Sequence, residues 1–308
     1  MPLHRLTSVT IGVPNVAETA AYYTDFGLSP QQDGWFGTRD GGRQLRIVHS
    51  PTRRLVEVHV GADDSDDLAR VADALHRLGI KSARGPHSVT AIEKATGVQA
   101  TVEVSPRVTQ APARAVVYNG PGRIERTGAR APGVLRTERV QPRKLGHTVL
   151  GTTDLAITRA FILEGLGFKL SDAIKDVGTF MRCSTDHHNV LVLQAPVAFL
   201  HHTSWQVDDV DEVGRGASAM LTDHPERHIW GLGRTMPGRT SSGTSRTPPA
   251  TLASTTPTWT ASSTTTCGRP RPMTAPRACS TGVRHQPPPS FLAPDDLAAL
   301  MTGLHSKV

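Results

Sequence analysis

Two stretches of this chain repeat one another, and no other feature narrows its fold as much. LTSVTIGVPNVAETAAYYTDFGLSP begins at Leu6, and LGHTVLGTTDLAITRAFILEGLGFKL begins at Leu145. Each reads as a short strand with a β-branched core, a turn carrying a helix-capping Asn15 or Asp154, and an amphipathic helix. Gly27 and Gly167 stand where a left-handed cap closes such a helix. A second echo pairs RRLVEVHVGADDSDDLARVADALHRLGI with FLHHTSWQVDDVDEVGRGASAML. Both are an apolar strand, an acidic turn at Asp63-Asp64 or Asp208-Asp209, and another helix. The repeated unit is therefore a strand, a helix and further strands, used at least twice in each half. That predicts an α+β fold of tandem βαβββ modules, with curved sheets around a cavity. Residues 106–140, rich in Pro, Gly, Arg and Ala, read as a linker between a domain at 1–105 and a second at 141–308.

At 308 residues the chain is long enough for two buried cores. It holds no apolar run of bilayer length, and its first residues lack the plan of a signal peptide. Three cysteines, an odd number, make no disulfide framework. Cys183 sits in a segment reading as buried strand, so a reducing, cytoplasmic location is expected. The formal charge of +7 and the pI near 9.8 invite a nucleic-acid reading. The excess is not a binding face, however. No acidic residue lies between Glu226 and Asp295, while eight arginines do. Neither nucleic acid nor membrane is expected as a partner.

The halves differ where chemistry would sit. Ser8 of the first repeat corresponds to His147 of the second, and Glu57 corresponds to His202. Strands alternate their side chains, so two histidines on separate strands can enter one cavity. Two imidazoles and a carboxylate make the facial triad of non-haem Fe(II) oxygenases. A lone histidine in a strand is more often an ordinary packed residue; two at equivalent places in a duplicated unit favour a shared cation.

KLGHTVLGTTD and FMRCSTDHHNVLVLQAPVAFLHHTSWQVDDVDEVGRGA resemble the catalytic domain of extradiol catechol dioxygenases of the 2,3-dihydroxybiphenyl dioxygenase type, within the vicinal oxygen chelate superfamily. The resemblance implies a metal-free first domain and a second that holds Fe(II), with Mn(II) as the alternative, through His147 and His202. His201 is the weaker ligand candidate, since alternation would turn it to the opposite face. His188 matches the histidine beside the dioxygen site, with His187 as fallback. Phe180 falls where the family places an aromatic wall of the substrate pocket, although ordinary packing would also account for it. The implied reaction inserts both atoms of O2 into a catechol, opening the ring beside the diol. The family is often multimeric, which implies a homo-oligomer.

The resemblance breaks off after Arg234. Residues 235–285 are dominated by Thr, Ser, Pro and Arg, with no acid and no Ile. The family requires here a catalytic histidine, a tyrosine, an Asp-Pro-x-Gly-Asn hairpin and the Glu ligand, and none is present. Taken as written, the block is a disordered linker. Read one base out of frame, it changes character. Met236-Pro237 then must yield Ala and Trp259-Thr260 must yield Asp, and Thr247 to Trp259 permits Asp-Pro-Ala-Gly-Asn-Phe-Gly-Glu-Tyr-Tyr-Ser-Asp-Met. Family-like sequence resumes at PPPSFLAPDDLAALMTG. The block reads as a displaced frame between two compensating shifts. Its Glu ligand falls at Ser254, a poor metal donor, and its acid–base histidine at Thr235. The literal chain is therefore expected to be inactive. Two rivals stay open: a metal-free protein of the superfamily that sequesters a small molecule such as an antibiotic, and a glyoxalase-type metal lyase.

Overall fold

The computed structural model describes residues 3–113, positions 121, 122, 124 and 128, residues 136–235, and segments 240–245, 256–262 and 272–273. Its elements follow the repeat. The first module runs β1 (Leu3–Val13), α1 (Val16–Phe26), β2 (Ser29–Pro30), β3 (Trp35–Thr38), β4 (Gly42–His49), β5 (Arg54–Ala62), α2 (Ser65–Arg77), β6 (Ser82–Arg84), β7 (Ser88–Ile92) and β8 (Gln99–Val104). The second runs β9 (Lys144–Thr152), α3 (Leu155–Ala160), β10 (Lys169–Ile174), β11 (Gly178–Arg182), β12 (Val190–Gln194), β13 (Phe199–Gln206), α4 (Val210–Leu221), β14 (His228–Thr235), β15 (Thr240–Ser245), β16 (Thr256–Ser262) and β17 (Pro272–Met273). Each module is thus two βαβββ units.

Both sheets are assembled in one way. At the centre of the first, β1 runs antiparallel to β5, with β4 parallel to β1 and β8 parallel to β5. In the second, β9 runs antiparallel to β13, with β12 parallel to β9 and β16 parallel to β13. Central strands are covered on both faces, so β1 is buried along nearly its whole length and does not alternate. The fold is the paired-module α+β architecture expected from the repeat. Segments 240–245, 256–262 and 272–273 lie inside the block expected to be a disordered linker, and their backbone is strand. Threonine's high β propensity accounts for part of this.

The helix ends follow their capping chemistry. Asn15 accepts from the Glu18 amide and donates back to the Glu18 carboxylate, a reciprocal cap. Asp64, Asp154 and Asp209 cap the other three helices through their side chains. Gly27 closes α1 at φ 106°, and any Cβ there would lie 2.2 Å from the Val140 carbonyl oxygen. That close approach lets the chain entering the second module pass against the end of α1. In the second module α3 widens into a π-helical turn, Phe161–Gly165, before Gly167 at φ 87°.

The modules meet through α1 and β13. Tyr23 packs edge-on against Trp205 at 6.4 Å, and the Trp205 indole donates to Thr203 Oγ1. A polar clamp lies beside this apolar contact. Arg143, just before β9, bonds Asp40 of the β3–β4 hairpin, Asp208 and the Ala111 carbonyl. Asp40 and Gly41 amides donate to the Arg143 carbonyl, and Gln44 accepts from the Leu145 amide at 2.7 Å. Losing one partner of a buried ion pair leaves a desolvated charge, which costs about 3–5 kcal/mol. Asp40→Ala should lower unfolding stability by about 3 kcal/mol, the low end because Asp208 remains. Arg39→Ala, on the exposed rim of the same cluster, should cost under about 1 kcal/mol. Urea denaturation of the two variants distinguishes them; equal small losses would mean that Arg143 does not clamp the modules.

Candidate metal centre

The register of β9 and β13 builds this site. His147 stands opposite Ser204, and Val149 stands opposite His202. His147 and His202 thereby face each other diagonally across an antiparallel pair, with their Nε2 atoms 3.3 Å apart. Two nitrogens bound to one cation at about 2.1 Å, subtending roughly 105°, would have that separation. The imidazole half of a facial triad therefore fits these residues.

The first module shows the same register with other residues. Ser8 stands opposite His59 and Thr10 opposite Glu57, so Ser8 and Glu57 occupy the places of His147 and His202. Glu57 accepts from Thr10 and Gln99. His59 lies between Glu103, 3.4 Å from Nδ1, and Glu57, 3.8 Å from Nε2. Burial works against a charged His59, but bonding and charge from Glu103 and Glu57 outweigh it and raise its pKa. A ring held on both nitrogens by carboxylates is an ion-pair partner rather than a ligand.

His188 reaches the second site from the loop between β11 and β12. Its ring centroid lies 4.1 Å from that of His147. Phe180 on β11 meets His188 edge-on at 5.1 Å and, with Ile174 and Leu191, forms a small apolar cluster of its own. All four sequence-derived site residues, His147, His202, His188 and Phe180, are thus neighbours. The loop is pinned by Asn189, whose Oδ1 accepts from the Cys183 amide and from the amide and hydroxyl of Ser184. Its Nδ2 donates to the Gly146 carbonyl, beside His147. Lys144 holds the same loop through Asp186 at 2.8 Å. Sequence reasoning passed over Asn189; its place directly after the histidine pair, at the start of a strand, was the available signal.

His201 does not turn to the opposite face as strict alternation would demand. The register advances from Leu200 opposite Leu150 to His202 opposite Val149, so His201 is the extra residue of a bulge. Its Nδ1 lies 2.8 Å from Nδ1 of His202. One hydrogen between those atoms leaves His202 Nε2 as a lone pair when the His202 ring supplies it. His187 Nδ1 contacts His188 Nδ1 in the same manner, at 3.1 Å.

Burial dominates the electrostatics. Desolvation, then the neighbouring His188 and His202, hold His147 well below its ordinary pKa. Desolvation and His201 do the same to His202. His188 is pushed down to about 3 by desolvation and His187. Neutral rings are the state a metal ligand needs. The third ligand, expected at Ser254, lies outside the described residues; β16 begins at Thr256, opposite His202. Among the described residues no group of three or more His, Cys, Asp and Glu is arranged to hold a metal ion. The histidine pair fits a cation, and the carboxylate that would complete it has no candidate anywhere from residue 227 to 294.

The lowered pKa values have a pH consequence. The unfolded rings take protons near pH 6.5, whereas the folded ones resist. Stability from neutral burial is complete above that pH and is lost as pH falls through it. Each buried ring should remove up to about 1.4 kcal/mol per pH unit below 6.5. His188→Gln should flatten the acid limb of a stability–pH curve measured by denaturant unfolding; an unchanged limb would contradict neutral burial of that ring.

No protein-family model matches the chain. Metapyrocatechase 2 of Cupriavidus necator is 36% identical over 119 residues, which are 37% of either chain. Biphenyl-2,3-diol 1,2-dioxygenase of Pseudomonas sp. (strain KKS102) is 27% identical over 183 residues, 56% of this chain and 60% of that one. The chain thus matches less than two thirds of the length of either relative. A halotolerant catechol dioxygenase superimposes with a TM-score of 0.71 at 17% identity, covering 94% of this chain and 96% of that one. The Mn(II)-bound glyoxalase of Novosphingobium aromaticivorans superimposes with a TM-score of 0.68 at 20% identity, covering 94% and 97%. Among the described residues no helix is long and apolar enough to cross a membrane. The chain is a homologue of metapyrocatechase and biphenyl-2,3-diol dioxygenases, built on the vicinal oxygen chelate fold that extradiol dioxygenases share with glyoxalase-type proteins.

Proposed function

We propose that this chain carries the framework of an Fe(II)-dependent extradiol dioxygenase acting on a catecholic aromatic diol and O2, with the carboxylate-bearing part of its catalytic module displaced out of frame. In this reading residues 1–105 are a metal-free module, 106–140 a linker and 141–308 the catalytic-type module. One observation carries it: two imidazoles, His147 and His202, lie 3.3 Å apart at Nε2 on the central strands of the second sheet. A bound Fe(II), or Mn(II) in its place, would supply chelation of both diol oxygens and a path by which electrons of the diol reach O2.

The residues around that pair suit such a substrate. Phe180, Ile174 and Leu191 offer an apolar face for an aryl ring and keep water from it. His188, uncharged and beside His147, can accept a hydrogen bond from a diol hydroxyl. The carboxylate is what the chain lacks. Two imidazoles without it bind a divalent cation weakly and leave its remaining positions unordered.

The mechanism of loss is testable in the gene and in the protein. Sequencing across the codons for residues 234–287 should show two compensating shifts. A protein with the frame restored should take up Fe(II), consume O2 with a dihydroxybiphenyl and release a coloured ring-opened product. The chain as written should do none of these above background, and His147→Ala should abolish metal uptake in the restored protein. Equal turnover by the written and restored chains would refute the displaced frame. Catechol binding without metal uptake by the restored protein would favour a metal-free binding protein instead.

A further inference from the structure

We infer that Asp172 and His187 form a hydrogen-bonded relay that sets the tautomer of His188, which makes both of them positioning residues. The inference deepens the reading of His188 as the polar group facing substrate, and takes its functional meaning from that reading.

The relay is built by strand register. Asp172 on β10 stands opposite Phe180 on β11, so the two share a face of the sheet. Phe180 in turn meets His187 at 5.9 Å and His188 at 5.1 Å. Asp172 Oδ2 lies 2.8 Å from His187 Nε2, and His187 Nδ1 lies 3.1 Å from His188 Nδ1. Both partners of the first contact are largely enclosed, with side chains 15% and 18% exposed, so water competes little for it.

Hydrogen counting gives the rest. An ionised carboxylate only accepts, so the His187 hydrogen must sit on Nε2. A neutral His187 then has a bare Nδ1, which accepts. The contact between the two Nδ1 atoms needs one hydrogen, and only His188 can supply it. His188 carries its single hydrogen on Nδ1, and its Nε2 keeps a lone pair. Without Asp172 either ring could supply the bridging hydrogen, and the order would be lost. A His188 with bare Nε2 meets its substrate as an acceptor; the opposite tautomer would meet it as a donor. The relay therefore decides which of the two roles is available before anything binds.

The test reads ring nitrogens in the full chain without metal, labelled with 15N-histidine at neutral pH. Long-range proton–nitrogen correlation should give His187 a protonated Nε2 and bare Nδ1, and His188 the reverse. A nitrogen–nitrogen coupling through the hydrogen bond should join the two Nδ1 atoms. Asp172→Ala should abolish that coupling and move part of the His188 population to the Nε2–H form. His187→Phe, which keeps a ring but no acceptor, should do the same, with the amide spectrum confirming that both variants fold. The unsubstituted chain decides the matter even if neither does: an Nε2-protonated His188 without coupling overturns the relay. An unchanged His188 tautomer in a folded Asp172→Ala chain also overturns it. Mn(II) uptake by the same chain and by the frame-restored protein, followed through loss of the free-ion EPR signal, reports separately on His147 and His202. If neither takes up metal while the tautomer pattern is present, the relay stands and the metal-centre reading fails.

Discussion

Every feature of the candidate site depends on how β9 pairs with β13. An antiparallel pair at the centre of a sheet, each strand flanked on its other side by a parallel neighbour, has no free edge along which to slip. A one-residue shift would exchange His147 for Thr148 and His202 for Thr203 on the face that bears the histidine cluster. Thr203 is already committed to the other side, accepting from Trp205 within reach of the Tyr23 hydroxyl. The packing between the modules thus holds the register from behind, and the histidines are held in place by contacts they do not make.

Holding three imidazoles together in a dry place has an energetic cost of its own. Each is denied water, and each would repel the others if charged, so the cluster exists only with neutral rings. Neutral rings still carry one donor and one acceptor apiece, and a desolvated nitrogen without a partner is unfavourable. The two histidine pairs, 187–188 and 201–202, answer this by satisfying Nδ1 against Nδ1. On the far side of these rings, His187 Nε2 meets Asp172 and His202 Nε2 faces His147 Nε2. For His188 and His202 the partner is the residue that precedes each of them.

Much of this was legible in the chain itself. Duplicated caps and closing glycines at Asn15, Asp154, Gly27 and Gly167 are local events, and local chemistry reads directly from sequence. The correspondence of Ser8 with His147 and of Glu57 with His202 was legible for the same reason, because a duplicated unit carries its register with it. The role of His201 was not. Alternation sends it away from His202, and the bulge that reverses this depends on the partner strand. Asn189 and Asp172 were also hidden. One acts through backbone groups six residues earlier, and the other through a ring fifteen residues later. Asn189 was marked only by its place after the histidine pair, and nothing in residue type or spacing marks the contact of Asp172 before the sheet is assembled.

The block after Arg234 separates two things that usually travel together. A sheet ladder is made of backbone groups, and any residue but proline can supply both its donor and its acceptor. Threonine and serine fill β15 and much of β16 in the sequence, and these strands take up places beside β13 equivalent to those of β7 and β8 beside β5. Such a ladder depends little on which side chains its strands carry, and in β16 only Pro257 lacks an amide hydrogen to give it. The site depends on them, because ligation, proton transfer and an aromatic wall each require a particular atom at a particular depth. Architecture and site are therefore separable, and the histidine pair at 147 and 202, in the places of Ser8 and Glu57, is what distinguishes the two modules.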